Sequence, residues 1–414
     1  MSRTVTCSVY ETLSQPGVYL EFTGKTKDDY LDTGPVRVYL RRSGMRFAGY
    51  ATAIEVTYRF EDRHQSLKQR VMPGTEPIAG RGSRTLIWVE FAIVNGAQFF
   101  LERQLDGKPL GEMTLEAGDW HVELRRTNQE HRSIDERIES DGAKITHSGT
   151  VRRISGAHFR SDEVQDVLSA LGMFLSFVAG WWVGIGFVRG KNSKGNLGWQ
   201  QWGLSRTQPK DTARHSWYHW KLADMLGQVF PGFVRLLQHP TWQAPLGSIL
   251  YWYNRSNSMA AGVDGSIILT QAAFELLAWH VLVQDSSLLS EENFHALNAE
   301  GQIRVLLGHL GIPLAVPSGL VELIKIGKGF NWLCGPQALV AIRNQLVHPA
   351  KKRGKAHQAR GYPYFEAWLL GQRLLELCIL RLCRYDGSYI DRTETRGFPE
   401  PTPVPWRAEG GGLP

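Results

Sequence analysis

The chain has few cysteines, and their placement excludes a disulfide framework and a structural zinc site. Only four occur among 414 residues, none in a CxxC pair and none with histidines at zinc-finger spacing. This pattern is typical of reduced thiols in a cytoplasmic protein that needs no metal or other cofactor.

The sequence shows no internal repeat. Its first residues also lack the apolar stretch of a signal peptide. We therefore expect no secretory leader.

Charge is missing from one long apolar stretch, Val167–Val188. Its length would suffice for a membrane span. However, glycines cluster toward its end, which favours a buried helix over about Val164–Ala179 and a strand over Trp181–Val188. A polar turn then leads to a second short strand at Leu197–Trp202. The sequence thus predicts a helix plus a β-hairpin without a membrane segment, and a membrane helix is the alternative.

The composition is that of a globular protein with a basic balance. Hydrophobic residues make up 43% of the chain and charged residues 21%, with a formal charge of +7 and a pI near 9.2. The length predicts two or three domains. A basic balance favours polyanions such as nucleic acid as partners, although solubility alone explains it equally well.

The first 160 residues have the pattern of a β-rich domain. Short runs such as Val36–Leu40 and Ile54–Phe60 alternate apolar and polar residues, and Gly, Asp and Asn separate them. This predicts an antiparallel sandwich or barrel. Its histidines are scattered, so we expect them at the surface or at strand edges and expect no catalytic cluster. A sensor or regulatory role suits this domain. The histidines concerned are His64, His121, His131 and His147.

After residue 160 the pattern becomes helical, so the overall fold class is α+β and multidomain. Residues 161–240 are predicted to form the helix plus β-hairpin connector, in which Pro231 should break or kink a helix. Residues 241–390 are predicted to form an all-α bundle, and 391–414 an irregular tail rich in Pro and Gly. The clearest helices are Leu246–Asn257, Ile267–Gln284, Pro336–Val347 and Tyr364–Tyr385.

The helix Pro336–Val347 carries the residues most suited to catalysis. Arg343 suits a phosphate clamp, Asn344 a polar orienting group and His348 a proton shuttle, as in RNA cleavage without a metal. Pro349 disfavours a helical backbone at His348 and should end the helix there. Five residues separate Arg343 from His348, so an ideal helix places them roughly 140° apart. Either the Arg side chain bends round, or two copies of the chain complete each other's site as a homodimer.

Glu275 lies in an apolar stretch of the helix Ile267–Gln284 and needs a partner if it is buried as a carboxylate. Two interpretations remain open. Glu275 pairs with Arg343 and supports the site, or it lies on a narrow exposed stripe with Gln271 four residues earlier.

A basic run follows His348 directly. It is interpreted either as an RNA-contacting rim beside the site or as an ordinary solvated loop. Its candidate RNA-binding residues are Lys351, Lys352, Arg353 and Lys355.

The six residues Arg343 to His348 resemble the Arg-x4–6-His signature of the HEPN superfamily, in the form where Asn follows Arg. A preceding helix with an acidic residue, Glu275, and a long apolar helix after the motif are also similar to that family, over residues 240–390. A β-rich region before such a domain resembles the Apea-type HEPN proteins of bacterial defence. The branch paired with nucleotidyltransferases has a Tyr two residues after the His, where this chain has Ala350.

The resemblance implies a metal-independent endoribonuclease that acts in phage defence or a toxin-like system. Arg343, Asn344 and His348 would be its catalytic residues, RNA its substrate, and a phage-derived or host signal its trigger at the β-rich domain. The products would carry a 2′,3′-cyclic phosphate and a 5′-hydroxyl group, and DNA would not be cut. The alternative is a non-catalytic module that binds RNA or scaffolds a complex.

Overall fold

A computed structural model describes twelve parts of the chain; for those before residue 85 it describes the backbone alone. These parts are residues 7–12, 17–24, 36–42, 45–61, 64–73, 78–80, 85–99, 112–127, 144–208, 216–348, 362–394 and 400–407.

The fold is α+β, with strands in the first half and helices in the second, as the sequence predicts. The first half forms twelve strands. They are β1 (Cys7–Thr12), β2 (Gly17–Gly24), β3 (Val36–Arg42), β4 (Met45–Glu61), β5 (His64–Pro73), β6 (Ile78–Gly80), β7 (Trp88–Val94), β8 (Glu112–Ala117), β9 (Trp120–Arg126), β10 (Ile145–Arg153), β11 (Gly184–Lys191) and β12 (Leu197–Leu204).

These twelve strands form one antiparallel sheet. The order is β1-β2-β5-β4-β6-β12-β11-β7-β10-β9-β8, and β3 pairs with β4 beside this path. Successive side chains of a strand point to opposite faces of the sheet, and β8 shows this alternation. Met113, Leu115 and Ala117 are buried on one face, and the residues between them are exposed on the other. A two-residue turn at Gly118, with φ of +58°, then returns the chain into β9. A positive φ is a conformation that glycine adopts without strain.

One histidine of the sheet departs from the sequence expectation. His147 lies in β10 and is 3% exposed, not at the surface or a strand edge. A β-bulge between Ile145 and His147 shifts the register against β7, so Thr146 and His147 are both buried. Burial and the Arg126 cation lower the pKa of His147 to about 3. His121 does lie near the surface, and its ring nitrogens are 2.8 and 3.1 Å from carboxylate oxygens of Glu116 and Glu123.

The long apolar stretch forms the predicted helix and hairpin. Helix α1 (Ser161–Ala179) is followed by β11 and β12, so residues 167–188 do not form one continuous helix. Among the described residues, a different helical segment, Gly262–Asp285, is long and apolar enough to cross a membrane. Its most apolar 18-residue window has a mean hydropathy of 1.6, and 61% of that window is buried within the protein, as expected for a core helix.

The chain divides into two compact units. The first comprises Met1–Ala97, Glu102–Leu175 and Trp182–Lys210, and the second comprises Gln98–Leu101, Ser176–Trp181 and Asp211–Pro414. The division therefore passes through α1.

The second unit is built from helices. They are α2 (Ala223–Gln238), α3 (Gln243–Asn257), α4 (Gly262–Trp279), α5 (Glu291–Ala296), α6 (Ala299–His309), α7 (Val321–Phe330), α8 (Gly335–Val347) and α9 (Tyr362–Leu382). A 3-10 turn, Trp220–Leu222, precedes α2, and a π-helical turn, His280–Asp285, extends α4.

Helix α2 continues through Pro231, where the sequence predicts a break or kink. Proline removes one backbone hydrogen bond. Here the surrounding side chains Phe230, Phe233 and Val234 are all buried, and this packing stabilises the helix on both sides of the proline.

The described residues of the predicted irregular tail, 391–394 and 400–407, are more structured than their composition predicts. Strands β13 (Ser388–Ile390) and β14 (Pro401–Pro403) pair antiparallel. The three residues that follow β13, Asp391, Arg392 and Thr393, are 8%, 6% and 1% exposed. Composition alone misses this segment because its charged side chains are buried through pairing with α9.

Candidate functional site

Helix α8 positions the residues that the sequence singles out. It begins after Cys334, whose backbone is extended (φ −158°, ψ 168°), and Pro336 lies in its first turn. It ends at His348, which has an extended backbone (φ −121°, ψ 91°) and whose N–H donates to the carbonyl oxygen of Asn344 at 3.0 Å. The prediction that the helix stops at His348 is thus confirmed, since the residue before a proline avoids the helical region.

The inner face of α8 holds the helix against the bundle. Leu339 and Ile342 are 6% and 1% exposed, as their one-turn spacing predicts. Leu346, which follows Ile342 by one turn and so lies on the same face, is only half-buried. The last turn of the helix therefore stands further out of the core than the first, and its side chains reach solvent.

Arg343 and Asn344 are brought together by the structure. Nη1 of Arg343 donates to Oδ1 of Asn344 at 3.2 Å. Nε of Arg343 is buried and has no hydrogen-bond partner among the described residues, although the residue as a whole is only half-buried. Asn344 thus orients the guanidinium group rather than His348. Because the guanidinium group is only half-buried, its terminal N–H groups can donate to an anionic partner such as a phosphate oxygen.

His348 is not brought to Arg343. Its side chain is exposed, and no hydrogen bond joins its ring to the part of the chain that the structure describes. The helical spacing explains this separation, because side chains five residues apart point in different directions. One copy of α8 therefore presents an oriented Arg343 and a separate, solvent-accessible imidazole.

Glu275 does not support Arg343. It is exposed on α4, and its Oε1 accepts a hydrogen bond from Nε2 of Gln271 at 3.2 Å. No ion pair joins Glu275 to Arg343 in the described residues. The second sequence interpretation fits in part: Glu275 is exposed and meets the residue four positions earlier, as helix spacing allows. Gln271 itself is 4% exposed, so the two residues do not share an exposed stripe.

The basic run after His348 lies outside the residues that the structure describes. Its four candidate RNA-binding residues lie outside the described residues, and only their positions in the sequence bear on the site. They are Lys351, Lys352, Arg353 and Lys355.

Sequence reasoning misses a network of buried charges centred on α9. Glu376 accepts hydrogen bonds from the hydroxyl group of Tyr253 at 2.6 Å and from Nε of Arg392 at 3.1 Å. A second contact joins Arg392 Nη2 to the same carboxylate, and Arg392 Nη1 donates to Oδ1 of Asn257 at 3.1 Å. Burial raises the pKa of Glu376, and Arg392 opposes that effect.

A second buried ion pair lies beside the first. Nε of Arg373 donates to Oδ2 of Asp391 at 2.7 Å, and the hydroxyl groups of Tyr389 and Thr393 donate to the same carboxylate at 2.8 and 2.6 Å. Burial works to raise the pKa of Asp391, but Arg373 and Thr393 outweigh it and lower that pKa. Both networks are closed to solvent, so they attach residues 388–394 to α9 and do not form a substrate site. The signal in the sequence was the presence of charges in an otherwise apolar helix.

Among the side chains that the structure describes, no group of three or more His, Cys, Asp or Glu residues has the geometry of a metal site.

Comparisons with known proteins match two parts of the chain. Residues 81–213 match the family model of the YopA central domain, and residues 239–402 match that of the YopA C-terminal domain. A relative, the SPbeta prophage-derived uncharacterized protein YopA of Bacillus subtilis (strain 168), is 27% identical over 331 residues, which are 79% of this chain and 72% of the relative. No solved structure matches the chain significantly.

These matches overturn the resemblance to the HEPN superfamily. The family model that covers the Arg343–His348 motif is that of the YopA C-terminal domain, and no HEPN family matches. A six-residue pattern at a helix end is short enough to arise by chance. The flanking features that made it persuasive, a helix with an acidic residue and an apolar helix, recur in many helical bundles.

Proposed function

We propose that this protein cleaves RNA without a metal at the exposed end of α8. The observation that supports the proposal is that Asn344 orients the half-buried guanidinium group of Arg343, and that the solvent-accessible imidazole of His348 follows five residues later at the same helix end. The basic run 351–360 follows directly in the sequence and supplies positive charge for a phosphate backbone.

The chemistry follows from these two side chains. His348 takes the proton of a ribose 2′-hydroxyl group, whose oxygen attacks the adjacent phosphorus. Arg343 stabilises the negative charge on the phosphoryl oxygens. The bond from phosphorus to the 5′-oxygen breaks, and an imidazolium returns a proton to that oxygen. The products are a 2′,3′-cyclic phosphate and a 5′-hydroxyl end. DNA has no 2′-hydroxyl group to attack and is not a substrate.

A second copy of the chain completes the site in this proposal. Within one copy Arg343 and His348 point apart, so a single RNA phosphate does not reach both. Two α8 ends that meet about a two-fold axis place the imidazole of one copy opposite the guanidinium of the other. The half-buried last turn of α8 leaves its outer side free for such a contact.

A second candidate function is RNA binding or scaffolding without cleavage. One observation favours it: His348 has no orienting partner among the described residues, whereas a catalytic imidazole is commonly held by one. Arg343 and the basic run would then bind phosphates only.

The setting we propose is bacterial and phage-related. The relative in Bacillus subtilis is a prophage-derived protein. A cytoplasmic RNA-cleaving effector with a toxin-like or phage-defence role fits that setting, with the β-rich unit as the part that receives the trigger. Expression of the wild-type chain should then slow bacterial growth, and His348→Ala should relieve the effect.

The direct test is RNA cleavage by the purified full chain in EDTA, followed by end-group analysis. We expect cyclic phosphate ends with the wild type, a loss of at least about 100-fold with His348→Ala, and wild-type cleavage with His309→Ala, an exposed histidine on α6. Retained cleavage in both His348→Ala and Arg343→Ala contradicts the site. RNA binding without cleavage by the wild type selects the second function.

A further inference from the structure

Helix α7 ends in an exposed group of large apolar side chains. Leu333 is 82% exposed, more than any other large hydrophobic residue in the described part of the chain, and Phe330 is 56% exposed. Trp332 between them is half-buried. We call Phe330, Trp332 and Leu333 the apolar prong. Contiguous exposed apolar groups of this kind mark sites that meet another apolar phase.

The prong is held in place by its backbone. Asn331 adopts the left-handed conformation (φ 55°, ψ 41°) and turns the chain at the end of α7. The N–H of Trp332 donates to the carbonyl oxygen of Gly327 at 2.9 Å, and that of Leu333 to Oε1 of Gln337 at 2.7 Å. These contacts fix the backbone at Trp332 and Leu333, so insertion into a partner costs little backbone entropy.

The two aromatic rings of the prong reinforce this arrangement. Those of Phe330 and Trp332 stack with centroids 5.6 Å apart and an interplanar angle of 15°. Each ring thus packs one of its two faces against the other ring.

Positive charge lies next to the prong. Lys325 and Lys328 are exposed on α7, and with Val321, itself 52% exposed, they share one helical face. Lys325 has a loose contact with Glu322 at 3.8 Å, and Lys328 has no ion pair in the described residues. The outer face of α7 therefore carries two lysines, one of them beside Glu322, and ends in apolar side chains.

We propose that this surface docks on an anionic lipid bilayer. Phe330 and Leu333 enter the boundary between headgroups and acyl chains, while Lys325 and Lys328 remain among the phosphates. Transfer of aliphatic side chains such as Leu333 and Val321 from water into hydrocarbon is favourable. These side chains have no aromatic face on which a nucleic-acid base could stack. Mutual stacking of Phe330 and Trp332 also leaves fewer ring faces for bases.

The test is cosedimentation of the full chain with vesicles of phosphatidylcholine alone or with added phosphatidylglycerol. Binding to the anionic vesicles should be roughly 10-fold tighter or more, since each lysine contributes near the surface. Leu333→Asp should weaken it by roughly 10-fold, and Lys328→Glu should remove most of the preference for anionic lipid. Leu288→Asp, at a half-exposed leucine elsewhere, and Lys194→Glu are matched controls that should bind as the wild type does.

Three results would overturn the proposal. The first is equal binding of the wild type and Leu333→Asp to anionic vesicles, with both proteins folded by circular dichroism. The second is the absence of wild-type binding to either vesicle. The third is unchanged vesicle binding by Leu333→Asp together with another defect. A changed molar mass of the protein in light scattering would assign the prong to a protein partner, and a loss of RNA binding would assign it to RNA.

Discussion

Glu376 and Arg392 form an ion pair inside the helical unit, with side chains 0% and 1% exposed. The two residues come from different parts of the chain, α9 and the segment after β13. Tyr253 and Asn257 of α3 complete the hydrogen bonds of the pair. The contact thus joins three segments at one buried point, and its energetics can be tested.

Removal of one partner should be far more harmful than replacement of both. Arg392→Ala leaves a carboxylate buried without its counter-charge and should lower the free energy of unfolding by about 3–5 kcal/mol. The double variant Glu376→Leu with Arg392→Met should recover much of that loss, because buried pairs are often replaceable by apolar side chains. Urea denaturation measures both. Arg304→Ala, at a partly exposed pair with Glu300, is the control and should have a smaller effect. Equal losses in the single and double variants would contradict this account.

The segment after Asp386 should be required for the helical unit. A chain that ends at Asp386 lacks Asp391 and Arg392, so Arg373 and Glu376 stay in α9 without their partners. We expect loss of cooperative thermal unfolding in the helical unit, measured by circular dichroism and calorimetry. A chain that ends at Arg407 keeps every contact described above and is the matched control. A cooperative transition in the shorter chain would show that the two ion pairs are dispensable.

The β-rich unit should lose stability as the pH falls below about 6.5. His147 is neutral in the folded state because its pKa is lowered to about 3, whereas an unfolded histidine binds a proton near pH 6.5. The unfolded state thus binds more protons between these values, and stability rises with pH across that window. At pH 5 the loss is about 2 kcal/mol.

Denaturation of the wild type, His147→Gln and His158→Gln at pH 5 and pH 7.5 tests this. The pH difference should shrink in His147→Gln and persist in His158→Gln, where the histidine is exposed. An unchanged pH difference in His147→Gln would assign the effect to other groups.

Local sequence patterns predicted much of the helical unit, because those patterns act over one or two turns. Leu339 and Ile342 lie one turn apart and are buried, and Pro349 ends α8 at His348. Glu275 shows the limit of this approach. Its partner is Gln271, which the spacing allowed, but nothing in the spacing decided between Gln271 and the distant Arg343.

Long-range and register-dependent features could not be predicted from local patterns. The pairing of Glu376 with Arg392 depends on a chain reversal after α9, and the composition of the last segment suggested an irregular tail. His147 is buried because one β-bulge shifts the register, and a single shift exchanges the two faces of a strand. For the candidate site, the sequence found Arg343, Asn344 and His348 but not that Asn344 holds Arg343.

The close approach of α2 and α9 should make Gly232 irreplaceable. A Cβ atom at Gly232 would lie 1.9 Å from the carbonyl oxygen of Cys383, and backbone cannot move aside as a flexible side chain can. Gly232→Ala should therefore destabilise the helical unit by about 3 kcal/mol or more, despite the higher helix propensity of alanine. Gly308 in α6 is the matched control, since nothing lies within 4 Å of a Cβ there. Gly308→Ala should stabilise by about 0.5–1 kcal/mol. Thermal melts of the two variants should thus shift in opposite directions. An unchanged or higher melting temperature in Gly232→Ala would mean that the two helices can separate without cost.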